Sequence, residues 1–363
     1  MSAIPFQEKK TVLRGVLDLA SGAYPAFIFG GELGRIVPVF HFHDVTKQQL
    51  EPKLLYLAEN GYRTLISDEL EQIVNHKTAI PAKSVALCFD DAWASLWTVV
   101  LPLLEKYGMR AITYVAPGRI EEASVCRAQG ADESPAPPPF CTWPELIGIH
   151  QSRLIDIQAH TFSHAAIFSD SRITGFINPQ SSFSLLSWPA GAMDGNRPFL
   201  SRQFLGHPLY ETRSRMSDAF RYMPNKNAIS ACLNHVSEKG GENYFKTKNW
   251  DQELRKVAAS HQGQYETEDA RKAAIAEELL LGKKVLEKRL GKRIEQICMP
   301  WAVCGTIAEF LARELGYKSA VADILFGKRY LHSKTQPFRI MRLKNRYIAR
   351  LPGRGRKPLL KCN

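Results

Sequence analysis

The sequence predicts an α/β fold: a (β/α) barrel of seven or eight strands, interrupted by a long insertion. Three observations predict it. Val85-Ala86-Leu87-Cys88-Phe89 is an uncharged, mostly apolar run without alternation, the pattern of a strand covered on both faces in a parallel sheet. Strand candidates of this kind alternate with helical segments about eight times along the chain, which favours a closed barrel over an open sheet. Between Ala165 and about Ala270 the rhythm fails, over a length that no ordinary connection reaches. The chain therefore divides into an N-terminal extension (1–35), a barrel (36–164 and 270–345), an insertion (165–269) and a basic tail (346–363).

Taken in order, a possible first helix starts near Phe6, and the aromatic patch Tyr24–Phe29 follows, read as packing across the bottom of the barrel. Ile36–Val45 is a strand ending in histidines. The segment Gln48–Asn60 is helical and stops at Gly61, the residue type expected just past a helix end. A short strand, Tyr62–Ile66, leads to a helix from Asp68 and then to the central strand. Leu96, Val99, Val100, Leu103, Leu104 and Tyr107 recur at helical spacing, with Pro102 expected in the first turn. Ala111–Val115 is the next buried strand, Glu133–Pro139 a proline-rich surface loop, and Thr142 the cap of a short helix. Leu154–Ala159 is a strand running into His160. The insertion mixes aromatic and basic residues, among them Phe183, Trp188, Phe199, Tyr210 and Arg215, and suits a subdomain overhanging the rim. A long helix, Glu266–Leu290, precedes three further strands at Ile294–Met299, Lys318–Ala322 and Phe338–Leu343.

The net charge of +12 predicts attraction to something anionic, such as a phosphate-bearing substrate or a membrane surface. Seven cysteines without CxxC spacing suggest neither a disulfide framework nor a zinc ribbon. With no secretory pattern and no membrane-spanning run, the expectation is a cytoplasmic protein, membrane-associated at most. The Gly/Pro-interrupted tail reads as disordered, and the lack of aromatics interleaved with its charges argues against nucleic-acid binding.

Chemistry gathers beyond the carboxyl ends of barrel strands, and there the central strand ends in Asp90-Asp91. Two adjacent buried carboxylates repel unless a cation or a shared proton intervenes; the plainer alternative is a loop-capping aspartate beside a solvated one. His160-Thr161-Phe162-Ser163-His164 spaces two imidazoles by one helical turn at the end of another strand. Two histidines plus one carboxylate are the usual ligands of a hydrolytic zinc centre. Zinc is the default from donor type, although Co, Ni or Mn would also be accepted.

These residues resemble the polysaccharide deacetylases of carbohydrate esterase family 4, the NodB-homology family. Its T-F-D-D motif appears as Cys88-Phe89-Asp90-Asp91, its H-[ST]-x-x-H motif as His160–His164, and its R-x-P-Y motif in part as Cys298-Met299-Pro300-Trp301. The resemblance covers roughly 36–164 and 270–343 and implies Asp91, His160 and His164 as metal ligands and Asp90 as general base. It also implies that a backbone N–H at Trp301 holds the oxyanion. The sequence departs from the family where Cys298 replaces an arginine that pairs with the catalytic aspartate; Arg339 or Arg342 could restore that charge. The start Pro38-Val39-Phe40-His41-Phe42-His43-Asp44-Val45 resembles circularly permuted members. Period-two alternation puts His41 and His43 on one face, and His43, nearer the rim, is assigned as the acid that protonates the leaving amine from across the substrate. The implied activity is metal-dependent removal of an N-acyl group, most often acetyl, from an amino sugar of a polysaccharide or glycoconjugate. The alternatives are a deacylase or deformylase of a lipid- or nucleotide-linked sugar, a hydrolase of small cyclic amides, and a catalytically silent glycan binder.

Overall fold

The computed structural model describes residues 17–130, 139–181, 193–194, 197–198, 204–260 and 262–358. The start of the first helix near Phe6, all of the proline-rich loop but Pro139, and Phe183, Trp188 and Phe199 lie outside the described residues. Among those described, two compact units separate: residues 17–163, 278–304 and 309–358 form one, and residues 164–277 with 305–308 form the other.

The first unit is built on a curled parallel sheet. Its strands are β1 (Val39–Phe42), β2 (Arg63–Thr64), β3 (Ser84–Asp90), β4 (Ala111–Val115), β5 (Ile155–Ala159), β6 (Gln296–Cys298), β7 (Ser319–Val321) and β8 (Leu343–Lys344). Their order across the sheet is β7-β6-β5-β4-β3-β1-β8, with β2 on the start of β3. The segment around Ile340 closes the curl, because Ile340 bridges Val321 on β7 while Leu343 pairs with Phe40 on β1. The structure is thus the (β/α) barrel of seven or eight strands that the sequence predicts.

All seven residues of β3 are buried, as an unalternating apolar run requires. Alternate residues still choose faces. Val37 and Val39 on the way into β1, Ala86 and Cys88 on β3, Ile112 and Tyr114 on β4, and Cys298 on β6 share one apolar cluster. Continuing the same period carries His41, Asp90 and His160 to that inner face at the upper ends of their strands.

Around the sheet run α1 (Lys47–Glu59), α2 (Ser67–Asn75), α3 (Leu101–Tyr107), α4 (Trp143–Ser152), α5 (Glu268–Leu290) and α6 (Thr306–Glu314). Helix α1 starts at a Thr46/Gln49 capping box and buries Leu50, Leu54 and Leu57, one helical stripe. Ahead of α3, Leu96–Val100 forms a wider π turn. Pro102 has no N–H for the carbonyl of Thr98, and Gly130 N–H donates to that carbonyl instead, at 2.7 Å. Thr142 caps α4 through its backbone, whose N–H donates to Glu145 at 2.9 Å, and not through its hydroxyl.

The tail departs from its sequence reading. Asn345–Arg350 is a short 3-10 helix, and chain is ordered to residue 358. Arg350 and Arg356 donate to the carbonyls of Ile28, Phe27, Gly30 and Gly31, at the carbonyl end of the Ala26–Phe29 turn. Two cations thus complete a C-terminal cap, a favourable use of positive charge. Gly and Pro here mark tight turns, not disorder.

The second unit pairs Ala166–Phe176 with Pro208–Ser214 in antiparallel fashion and adds helices Lys226–Glu238 and Trp250–Ala259. Phe176, Cys232, Val236, Tyr244, Leu254 and Ala258 form its own core. Its Arg215 and Glu266 make a buried two-bond ion pair at 2.5 and 2.8 Å. Among the described residues no helix is long and apolar enough to cross a membrane.

Candidate active site

Three loops at the upper ends of β3, β5 and β6 carry Asp90, Asp91, His160, His164 and Trp301, while His43 follows β1 and Arg342 precedes β8. Alternation along β3 would send Asp90 and Asp91 to opposite faces. Asp91 escapes this because its backbone is left-handed, with φ 69, as is that of Ala92, with φ 54. The same device recurs at Thr161 (φ 62) and His164 (φ 55), and at Trp301 (φ 56) and Ala302 (φ 59). Eleven non-glycine residues have positive φ among those described, and these six belong to the three loops. Such conformations cost about 1–3 kcal/mol each and persist where surrounding structure over-determines them, commonly at functional sites.

Spacing alone suggested a helical turn between His160 and His164. The segment is instead a bent loop, held from several sides. Glu278 on α5 accepts the N–H groups of Phe162 (3.1 Å) and Ser163 (2.9 Å) on one carboxylate oxygen and the Ser163 hydroxyl (2.5 Å) on the other. Gly118 N–H donates to the Phe162 carbonyl at 2.8 Å, and Arg119 Nε to the Ser163 carbonyl at 2.9 Å. At Gly282 a Cβ would lie 2.7 Å from the carbonyl carbon of Thr161, so only glycine lets α5 approach this closely.

Asp91, His160 and His164 are each buried, and one donor atom from each lies within 4.8 Å of the others. The His160 Nδ1–H donates to the Cys298 carbonyl at 2.6 Å. That bond, the usual second contact of a ligating imidazole, fixes the ring and leaves Nε2 facing Asp91 Oδ1 at 3.4 Å. Burial holds the His160 imidazole neutral, its pKa down to about 4. Burial, then the charge of Asp90, pushes the Asp91 carboxyl up to about 8. A neutral imidazole is the ligating form, and a carboxylate so disfavoured is one that a bound cation would stabilise; the donor set fits a divalent cation. Asp90, His160 and Cys298 also cluster, but burial pushes the Cys298 thiol well up and Asp90 has another partner.

That partner is Arg342. Its Nη1 donates to Asp90 Oδ1 at 2.6 Å, with Asp90 buried and the Arg342 side chain largely covered. Burial alone would raise the Asp90 carboxyl; the guanidinium overrides it and holds the group well below the ordinary carboxylate range. Of the two arginines named from sequence, Arg342 is the one that reaches the aspartate, while Arg339 pairs with Glu309. His43 is half exposed, its Nε2 3.8 Å from Asp90 Oδ2, so it stands beside the aspartate that the sequence assigns as base, whereas the sequence reading put it across the substrate. Burial, then Arg342, holds the His41 pKa down to about 3, and its Nδ1 finds no hydrogen-bond partner. Trp301 is partly exposed at the start of its loop.

Sequence reading missed Glu278, Gly282, Gly118 and Arg119. A signal existed for one of them, Gly282: Ile275, Leu279, Leu286 and Leu290 form the buried stripe of α5, and a glycine on such a stripe, costly in a helix, announces a close approach.

Residues 77–194 match the family model described as polysaccharide deacetylase. Over 139 residues the chain is 27% identical to the poly-beta-1,6-N-acetyl-D-glucosamine N-deacetylase of Escherichia coli strain K12, a match covering 38% of this chain and 20% of that protein. The match thus spans about a fifth of that relative. Among solved structures, the BpsB deacetylase domain from Bordetella bronchiseptica aligns with a TM-score of 0.53 at 16% identity, over 86% of this chain and 96% of that one, a likeness of fold. The resemblance read from the motifs is thereby borne out at the level of the family.

Proposed function

Because this chain carries a polysaccharide deacetylase domain, we propose that it is a metal-dependent carbohydrate N-deacetylase, releasing an N-acyl group, acetyl by preference, from an amino sugar of a polysaccharide or glycoconjugate. The observation that carries this reading is the buried Asp91, His160 and His164 donor set beside a second aspartate that Arg342 keeps ionised. The relative named for a poly-N-acetylglucosamine substrate supports the choice of sugar. The circularly permuted reading rests on the first strand, which delivers His43 to the rim.

Asp91, His160 and His164 would hold a divalent cation, zinc by donor type, which when bound supplies the Lewis acidity that acidifies a water and polarises an acyl carbonyl. Asp90 accepts a proton from the attacking water as its oxygen bonds to the acyl carbon. Its basicity is low, so it can serve only against a water already acidified. The left-handed turn at Trp301 aims a main-chain N–H at the developing oxyanion. When the C–N bond breaks, His43 gives its proton to the leaving nitrogen, and the acid and the free amine depart. With Asp90 3.8 Å away, the proton taken from water can return to His43 and reset the pair.

His160→Ala is expected to lose most bound zinc and nearly all acetate release from an N-acetylglucosamine oligomer. Asp90→Asn is expected to keep the zinc while kcat falls by roughly 10²–10⁴-fold, the range for a lost general base. Full rate in either variant would sink the assignment. His43→Ala should abolish amide turnover and largely spare an aryl acetate, whose leaving group needs little protonation; parallel losses on both substrates would remove the acid role.

A further inference from the structure

The two candidate histidine ligands sit at the ends of a five-residue loop whose interior carries no metal-binding side chain of its own. Something must fix their spacing. His160 is fixed by its strand and by the Cys298 carbonyl. His164 lies beyond Thr161, whose left-handed backbone is disfavoured unless neighbours impose it.

One side chain imposes most of it. A carboxylate with two oxygens satisfies three donors in a row: Phe162 N–H, Ser163 N–H and Ser163 Oγ–H. Two successive N–H groups can converge on one acceptor only when the loop is folded back on itself, so these bonds select the bent conformation over an extended one. The acceptor is carried by a 23-residue helix, a stiff element. Gly282, one turn further along, lets that helix come close enough. Arg119, buried between the charges of Glu278 and Asp91, joins the loop carbonyl at Ser163 to the same cluster.

We propose that Glu278 is a positioning residue for the metal site: by gathering the Phe162 and Ser163 donors it sets where His164 stands relative to His160 and Asp91. The inference rests on the metal reading above and adds to it a residue that touches neither cation nor substrate.

The experiment is zinc affinity by competition with a chromophoric chelator, on purified wild type, Glu278→Ala, Glu278→Gln and Ser163→Ala, with thermal unfolding of each metal-free protein alongside. Loss of an outer partner typically weakens a metal site 10–100-fold. Glu278→Ala should bind zinc about 10–100-fold more weakly. Glu278→Gln keeps a carbonyl oxygen for the two N–H groups and should recover most of the affinity. Ser163→Ala removes a single bond and should lose only a few-fold, and it stands in if Glu278→Ala does not fold. A purely structural glutamate would lower the unfolding temperature while the folded fraction bound zinc as wild type does; that result overturns the proposal. Wild type that binds no zinc would instead overturn the metal reading, and the proposal with it.

Discussion

The two ends of the barrel contain similar chemistry arranged to opposite effect. At the lower end, Asp156 on β5 faces Lys292, the Ser67 hydroxyl and Gln158. Gln158 in turn accepts the N–H groups of Glu295 and Gln296, and Gln296 reaches Ser319 and Tyr114. Each carboxylate and amide there has complementary partners, which is how a buried polar network stabilises. At the upper end, two carboxylates adjoin on one strand: Arg342 pairs with Asp90, while burial and its neighbour's charge outweigh the Trp93 hydrogen bond and the more distant arginines at Asp91. The backbone repeats the contrast. Left-handed residues at the lower end, Lys77, Lys83 and Arg153, are exposed, and Lys77 and Arg153 lie where helices terminate, an ordinary place for them. At the upper end Asp91, Ala92, Thr161 and His164 are left-handed and buried. One end of the strands is arranged for stability, and the other stores charge and strain for use.

Removing the Arg342 charge at the upper end should have the largest effect on stability. Arg342→Met leaves Asp90 buried with only the half-exposed His43 3.8 Å away, and breaking a buried pair in this way costs about 3–5 kcal/mol. The pH dependence has a definite sign. Arg342 lowers the Asp90 carboxyl in the folded protein, so the stability it confers is present above the unfolded carboxylate value and is lost as pH falls through the folded one. The deficit of Arg342→Met should therefore be full at pH 7 and smaller near pH 2, measured by urea unfolding. The acid limb of kcat/KM should move to higher pH, because burial raises the carboxyl and its largest opposing charge is gone. An equal deficit at both pH values would mean that the arginine stabilises by packing alone.

The corresponding break at the lower end should be milder and of a different kind. Ser67→Ala removes a donor to Asp156 and an acceptor of Gln158, and stranding such buried groups costs about 1–3 kcal/mol. No loss of kcat is expected once the folded fraction is corrected for. A fall in kcat beyond that correction would show that the two ends are coupled through β5.

The contrast between the ends also explains what the sequence could show. Strand β3 was legible because an unalternating apolar run has few other homes, and Asp91, His160 and His164 because the residue types and strand ends coincide. The choice of Arg342 over Arg339 was not legible, since it depends on register at the closure, where Glu309 takes the other arginine. Nor was the bend in the His160–His164 loop: i, i+4 spacing carries no record of φ, and the residues that impose the bend lie on α5, more than a hundred positions away. The tail misled for a related reason, because Arg350 and Arg356 meet carbonyls some 320 residues distant. For the same reason the net charge overstates the positive surface: Arg329 and Arg350 are buried in internal contacts and Arg342 is held against Asp90, which weakens the argument from charge to an anionic partner.

The smallest expected effect separates strain used for function from strain used to end a helix. Ala302 and Arg153 have nearly the same backbone, φ 59 and φ 60, one in the upper loop after Trp301 and the other closing α4. For a non-glycine residue this conformation costs roughly 1–2 kcal/mol. Glycine removes that cost but adds about 0.4–1 kcal/mol of unfolded-state entropy. Ala302→Gly and Arg153→Gly should each therefore stabilise by about 1 kcal/mol or less, read as a small rise in Tm. Neither should alter the fold: Ala302 N–H keeps its bond to Met299 at 2.8 Å, its carbonyl keeps Asp323 N–H at 2.9 Å, and Arg153 N–H keeps His150 at 3.2 Å. The variants should part company in rate. Arg153→Gly loosens an exposed helix end far from the reacting atoms and should leave kcat unchanged. Ala302→Gly loosens the residue that holds Trp301 in its left-handed turn, so the main-chain donor assigned to the oxyanion loses its fixed aim, and kcat should fall a few-fold with KM nearly constant. If kcat is kept in both, the paired left-handed residues at Trp301 and Ala302 are a turn and nothing more, and the oxyanion donor has to be sought elsewhere on the rim.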